Sequence, residues 1–187
     1  DIQMPGMRYA VIQRSPVLNG TVAGFDDTAA RAVKGVLDVF HIEGPAPGAP
    51  YLILAHGVAV VATSTWAALE GRKALKVKWS ESPNRNDSSE RFWKENLEML
   101  SREGQIVLDQ GDFPTALAEA KHVIRHTYEV PFVSHAPLEP QNCYAWVQED
   151  KVHVIAPTQS PSGASRSAHA ITGIDRDSIK VEMSRSG

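Results

Sequence analysis

The chain has 187 residues, of which 42% are hydrophobic and 22% charged, and its 19 Lys+Arg against 22 Asp+Glu give a net charge of −3. That length allows one domain or two small ones, and the mildly acidic balance argues against a nucleic-acid binder, which carries clustered Lys and Arg. The single cysteine, Cys143, excludes an internal disulfide framework and a cysteine-based zinc or iron–sulfur site within these residues. No apolar run reaches the roughly 18 residues of a membrane span, so no transmembrane helix is expected. The residues start at Asp1 without a signal sequence and end at Ser184-Arg185-Ser186-Gly187 without an obvious stop, so a piece of a longer protein is expected.

In chain order, Tyr9 to Gln13 is β-prone and is followed by the turn signals Ser15-Pro16 and Asn19-Gly20. Thr21 to Phe25 reads as a second strand. Asp26-Asp27 can cap a short helix over Thr28 to Val33, closed by Gly35. Val36 to Ile42 is a third strand. Gly44 to Pro50, with its prolines, is a loop. Gly57 to Ala62 is an unbroken apolar run, the pattern of a strand buried on both faces. Ser64 caps a helix from Thr65 to Lys73, and Leu75 to Trp79 returns as a strand. Strands alternating with short helices make an α/β unit.

Ser80 to Asp87 is a linker by composition. Asp87 with Glu90 resembles a capping box that opens a helix to about Arg102, stopped at Gly104, with Trp93, Leu97 and Leu100 in one apolar stripe. A further unit begins near Gln105. Asp112 caps a short helix through Ala120. His122 to Val133 is a long β-prone stretch, and Gln141 to Gln148 another, with Cys143, Ala145 and Val147 on one face. Glu149-Asp150 turns into Val152 to Ala156. Ser160 then caps a helix with Pro161 in its first turn, Ala164, Ala168 and Ile171 along one side, and Gly173 as its stop. Ile179 to Met183 is the final strand.

Chemistry is sparse. The phosphate-cradling glycine motifs, the His-Glu-x-x-His zinc motif and the Gly-x-Ser-x-Gly elbow are all absent. His122 and His126 would sit about 13 Å apart on a strand, so they are not expected to share a metal. Ser134, His135 and Glu139 have the residue types of a triad, but nothing puts the serine on an exposed elbow, and loop hydrogen bonding accounts for them. The informative segments are Ser134-His-Ala-Pro-Leu-Glu-Pro140 and Ala156-Pro-Thr-Gln-Ser-Pro161. The second is a strand, a tight turn carrying Gln159, and a capped helix. Ligands of α/β proteins sit beyond the carboxyl ends of strands near helix N-termini, where the Gln159 amide can both donate and accept. Gln159 as a simple turn former stays open beside that reading.

These residues resemble a known family. Met4-Pro-Gly-Met-Arg-Tyr-Ala10, Arg14-Ser-Pro16, Val33-Lys-Gly-Val36, Trp66-Ala-Ala-Leu69 and Ala74-Leu-Lys-Val-Lys-Trp79 are similar to the small hammerhead domain of the xanthine dehydrogenase/aldehyde oxidase family. His135-Ala-Pro-Leu-Glu-Pro140 and Pro157-Thr-Gln-Ser-Pro161 are similar to the opening of its first molybdopterin-binding domain. The isoquinoline 1-oxidoreductase beta-subunit branch matches best. The resemblance implies an α/β (α+β) chain: a hammerhead-type domain over 1–82, a linker and connecting helix over 83–104, and the truncated start of a molybdopterin-binding domain over 105–187.

By the same resemblance, the parent is a molybdenum hydroxylase large subunit. It would hydroxylate an N-heteroaromatic such as isoquinoline, or oxidise an aldehyde, with oxygen derived from water. Its electrons would leave through a separate small [2Fe–2S] subunit. Gln159 matches the glutamine whose amide hydrogen-bonds to an oxygen ligand of molybdenum. Gly187 matches the first glycine of a turn lying against the cofactor, and His135 and Glu139 lie in the loop near it. No residue here is expected to be catalytic or to bind metal directly. The molybdenum–molybdopterin belongs to the full-length subunit, and these residues alone are expected to be inactive. A bacterial periplasm or cytoplasm is implied, the periplasm by the family alone. The rival expectation is a free-standing, non-catalytic ligand-binding or protein-interaction module.

Overall fold

The computed structural model describes residues 2–44 and 55–185. Backbone contacts divide the chain into two compact units, one made of Asp1–Arg85 with Pro137–Gly187 and the other of Asn86–Ala136.

In the first unit, the amino-terminal segment forms β1 (Tyr9–Arg14), β2 (Val22–Asp26), α1 (Thr28–Arg31), β3 (Val36–Ile42), β4 (Gly57–Ala62), α2 (Thr65–Ala74) and β5 (Lys76–Trp79). Strand β4 lies between β1 and β3, antiparallel to both, while β2 and β5 make a separate antiparallel pair. The apolar run of β4 explains its central place: Val58, Ala59, Val60 and Ala62 are all buried, on both faces of the strand. Val58 and Val60 join Ala30, Val39 and Leu75 in a core that Val22 and Val77 of the β2–β5 pair help to close. Burying a valine of this kind stabilises by about 1.5–3 kcal/mol. Helix α2 starts at Ser64, whose hydroxyl accepts from the Ala67 N–H. It lies close enough to the sheet that a Cβ on Gly71 would come within 2.8 Å of Val36 Cγ2 and Val60 Cγ1.

Two local readings need correction here. Asp27 does not cap α1 with its side chain. Asp26 Oδ1 instead accepts from the Thr28 N–H at 3.0 Å, while Asp27 pairs with Arg31 at 2.5 Å. The stretch after β5, linker-like in composition, is tied down at its start. Ser80 N–H donates to the Thr21 carbonyl at 2.8 Å, and the buried Ser82 hydroxyl donates to the Leu18 carbonyl at 2.6 Å. Most of the proline-rich loop expected over Gly44 to Pro50 lies outside the described residues.

The second unit holds α3 (Ser89–Leu100) and α4 (Phe113–Glu119). The cap of α3 is Ser88, which accepts from the Arg91 N–H at 3.1 Å, and Asp87 is an ion-pair partner of Arg91 at 2.6 Å. The expectation had assigned the cap to Asp87. Adjacent capping types leave the choice to backbone geometry, and it is Ser88 that takes the extended conformation of a cap. The helix ends at Leu100, short of Arg102 and Gly104. Asp112 caps α4 as expected, accepting from Thr115 N–H at 3.1 Å and from the Thr115 hydroxyl at 2.7 Å. The β-prone stretch His122 to Val133 forms no strand, because it has no neighbouring strand to pair with among the described residues.

The carboxy-terminal segment returns to the first unit with β6 (Tyr144–Gln148), β7 (Lys151–Ala156), α5 (Pro161–Thr172) and β8 (Ile179–Met183), preceded by a 3-10 turn over Arg176–Ser178. Strand β7 is central, antiparallel to β6 and parallel to β8. A parallel pair needs a crossover, and α5 supplies it, packing back on β8. Cys143 precedes β6 and is exposed, so it does not share a strand face with Ala145 and Val147. Ile171 is also exposed, so the apolar side of α5 is carried by Ala164 and Ala168, both partly buried. Gly173 ends the helix at φ 73°, a left-handed value that costs glycine nothing.

Candidate functional site

Parallel pairing from Val152 opposite Ile179 to Ala156 opposite Met183 brings β7 and β8 out at the same edge of the sheet. Helix α5 starts at that edge. The Ala156 carbonyl accepts both the Thr158 N–H at 2.9 Å and the Ser184 N–H at 3.1 Å, so a single atom ties the two exits together. The Thr158 hydroxyl oxygen accepts from the Ser160 N–H at 3.0 Å, and Ser160 Oγ accepts from the Gly163 N–H at 3.3 Å. Pro161 follows in the first turn of α5, where a missing N–H costs nothing.

Gln159 sits between these two fixed hydroxyls. Its side chain is exposed and makes no hydrogen bond among the described residues. The local polar partners are consumed by the turn and the cap, so the Gln159 amide stays available at the mouth of a helix N-terminus. Such an end carries partial positive charge and favours an oxygen-rich, anionic group. A neutral amide adds a donor without adding charge. A molybdopterin cofactor, with its phosphate and oxygen ligands, fits that donor set.

A second cluster was missed by sequence reasoning. His153 Nε2 lies 3.0 Å from Glu182 Oε1, which also pairs with Lys180 Nζ. Lys180 first, and His153 second, hold the Glu182 carboxyl below its ordinary value by hydrogen bonding to its charged form. Tyr144 stands edge-on to His153 with ring centroids 6.1 Å apart. Alternation places this group on the face of the sheet opposite the buried Val152 and Ile179. The signal was present as charged residues alternating along two strands, but only the register of β7 against β8 makes them neighbours.

Residues 99–187 match the family model of the molybdopterin cofactor-binding domain. The chain is similar to members of the xanthine dehydrogenase/aldehyde oxidase family. Over 193 aligned residues it is 28% identical to the isoquinoline 1-oxidoreductase subunit beta of Brevundimonas diminuta, covering 98% of this chain and 23% of that protein. It is 22% identical to the xanthine dehydrogenase molybdenum-binding subunit of Escherichia coli O157:H7, covering 86% of this chain and 25% of that one. The crystal structure of quinoline 2-oxidoreductase from Pseudomonas putida 86 superposes with a TM-score of 0.67 at 19% identity, over 98% of this chain and 27% of that chain. The chain therefore spans about a quarter of the length of these family members. The α/β architecture expected from the alternating elements is the one this solved structure shares.

Glu139 is exposed, and no hydrogen bond joins it to Gln159. His135 is exposed and belongs to the other compact unit, next to Ala136 at φ 35°. Gly187 lies outside the described residues. His126 faces the Tyr128 ring at 6.4 Å, and among the described residues no group of three metal-ligating side chains exists. No helix among them is long and apolar enough to cross a membrane.

Proposed function

We propose that this chain is a fragment of a molybdenum hydroxylase large subunit, in which Gln159 contacts the molybdenum–molybdopterin cofactor. The reading is supported above all by one observation: an exposed, unbonded glutamine amide at the carboxyl edge of a parallel strand pair, at the start of α5, inside the segment that matches the cofactor-binding model. The proposed organisation is a hammerhead-type domain over 1–82, a connecting helix within 83–104 and the start of the cofactor-binding domain over 105–187. Gly187 would begin the glycine turn against the cofactor, and His135 and Glu139 would shape the nearby loop.

When bound, the cofactor supplies the two-electron chemistry for hydroxylating a ring carbon beside nitrogen, as in isoquinoline, or for oxidising an aldehyde. The chain's own part is to orient. The Thr158 and Ser160 hydrogen bonds fix the backbone on either side of Gln159, so its amide is presented with little ordering cost. It would donate to an oxygen ligand of the metal, while the α5 N-terminus favours the cofactor's negative charge. Partners under this reading are the rest of the large subunit and a small [2Fe–2S] subunit, and these residues alone are inactive.

The test is Gln159→Ala in the complete subunit, co-expressed with its small partner. Loss of a hydrogen bond beside a metal centre typically costs 10–100-fold. Turnover of isoquinoline or an aldehyde should fall by about that factor, with molybdenum content near wild type. Unchanged kinetics would remove Gln159 from the site.

A further inference from the structure

We infer that Asn19 is a latent modification site, poised to become aspartate or isoaspartate by attack of the Gly20 nitrogen, and that Asn84 holds it in the unmodified form. The inference stands apart from the function proposed above. Asn19 is the one asparagine of the chain followed by glycine. A glycine nitrogen, with no Cβ beside it, can approach a side-chain carbonyl closely. The step joins Gly20 N to Asn19 Cγ and breaks the Cγ–Nδ2 bond. The Gly20 amide proton leaves with the departing ammonia. Water then opens the five-membered imide at either carbonyl. One opening gives aspartate, and the other gives isoaspartate, with the main chain rerouted through the side chain. No oxidant or cofactor takes part.

The fold demands both residues of this reactive pair. The Gly20 N–H donates to the Val17 carbonyl at 3.1 Å, which makes Asn19 the third residue of a four-residue turn. Asn19 has φ 61° there, a left-handed value that asparagine and glycine adopt more readily than other residues. Gly20 is buried, and a Cβ on it would run into Ser15 Oγ. Two hydrogen bonds then oppose the reaction. The bond to Val17 keeps the proton on the Gly20 nitrogen, which makes it a poor nucleophile. Asn19 Nδ2 donates to Asn84 Oδ1 at 2.9 Å, which fixes the amide that has to turn toward Gly20. Asn84 is half-buried and braced in its turn. Its N–H donates to the Ser82 hydroxyl oxygen at 3.1 Å, and the buried Ser82 hydroxyl donates to the Leu18 carbonyl at 2.6 Å. The segment after β5 thus clamps the turn before β2. Either product lacks Nδ2, and isoaspartate adds a methylene to the main chain inside the turn, so modification would release the clamp.

The test is timed peptide mass spectrometry of the full-length protein and of a synthetic peptide of residues 15–31 held in the same buffer. Conversion of Asn19 should run at least about tenfold more slowly in the protein than in the peptide, because two hydrogen bonds oppose it. Asn84→Ala and Asn84→Leu both remove the acceptor and should speed conversion in the protein about 2–10-fold, the worth of one hydrogen bond. Asn84→Asp keeps an acceptor oxygen and should stay at the wild-type rate. Exchange of the Val58 and Val60 amides of the buried β4, read on the same samples, should remain slow in all four proteins. Wild-type protein converting as fast as the peptide overturns the inference, as do Ala and Leu variants that convert at the wild-type rate. An Asp variant as fast as the Ala variant also overturns it. Faster conversion joined to fast exchange at Val58 and Val60 overturns it too, by assigning the protection to the whole fold rather than to Asn84.

Discussion

The α5 start carries a conflict that can be measured. Ser160 Oγ accepts from the Gly163 N–H at 3.3 Å, and a Cβ on Gly163 would lie 2.7 Å from that same oxygen. Removing the cap with S160A should cost about 0.5–1 kcal/mol, in the lower part of the usual range because the bond is long. Replacing a helical glycine by alanine should gain up to about 1 kcal/mol. In wild type, however, the new methyl displaces the capping hydroxyl, so G163A should come out near zero. In the S160A background the hydroxyl is gone and the gain of about 1 kcal/mol returns. The coupling between the two sites is therefore about 1 kcal/mol, roughly two to three times the error expected for independent sites. Hydrogen exchange of the α5 amides in the full chain reads it as roughly a fivefold change in local opening. An identical G163A effect in both backgrounds would refute the steric argument and, with it, the view that Ser160 fixes the backbone beside Gln159.

Two further outcomes follow from packing and charge. Gly71→Ala should destabilise by about 1–3 kcal/mol, because its Cβ would meet Val36 and Val60 at 2.8 Å. With a urea slope of about 2 kcal/mol/M, the unfolding midpoint should drop by roughly 0.5–1.5 M, and an unchanged midpoint would show that α2 can move off the sheet. The Glu182 carboxyl, held below its ordinary 4.5 by Lys180 and then His153, contributes stability that is present above the unfolded value and lost as pH falls through the folded one. Exchange of β7 and β8 amides, corrected for intrinsic rates, should therefore quicken below about pH 4.5, and Glu182→Gln should flatten that dependence.

What could be read without coordinates was what local chemistry decides. Ser64, Asp112, Ser160 and Gly173 each act through atoms within a few residues, and all four do what their residue types suggest. The unbroken apolar run of β4 announced a central strand, because no amphipathic edge strand could carry it. Where two capping types were adjacent, as at Asp87 and Ser88, residue identity alone left the choice open. Properties set by pairing were out of reach. His153, Lys180 and Glu182 become one cluster only through the register of β7 with β8. The β-prone 122–133 stretch reads as a strand by propensity, but a strand exists only when a neighbour accepts its hydrogen bonds. The Gln159 loop lay between these cases: its turn chemistry was local, whereas its place beside the exit of β8 came from the parallel pairing.

The central claim is that the protein carrying this chain serves a molybdenum–molybdopterin centre. The most direct measurement is metal and pterin analysis of the complete subunit purified with its small partner. The account predicts close to one molybdenum and one molybdopterin per large subunit. A folded subunit containing neither, made in cells that load another molybdenum hydroxylase normally, would contradict it.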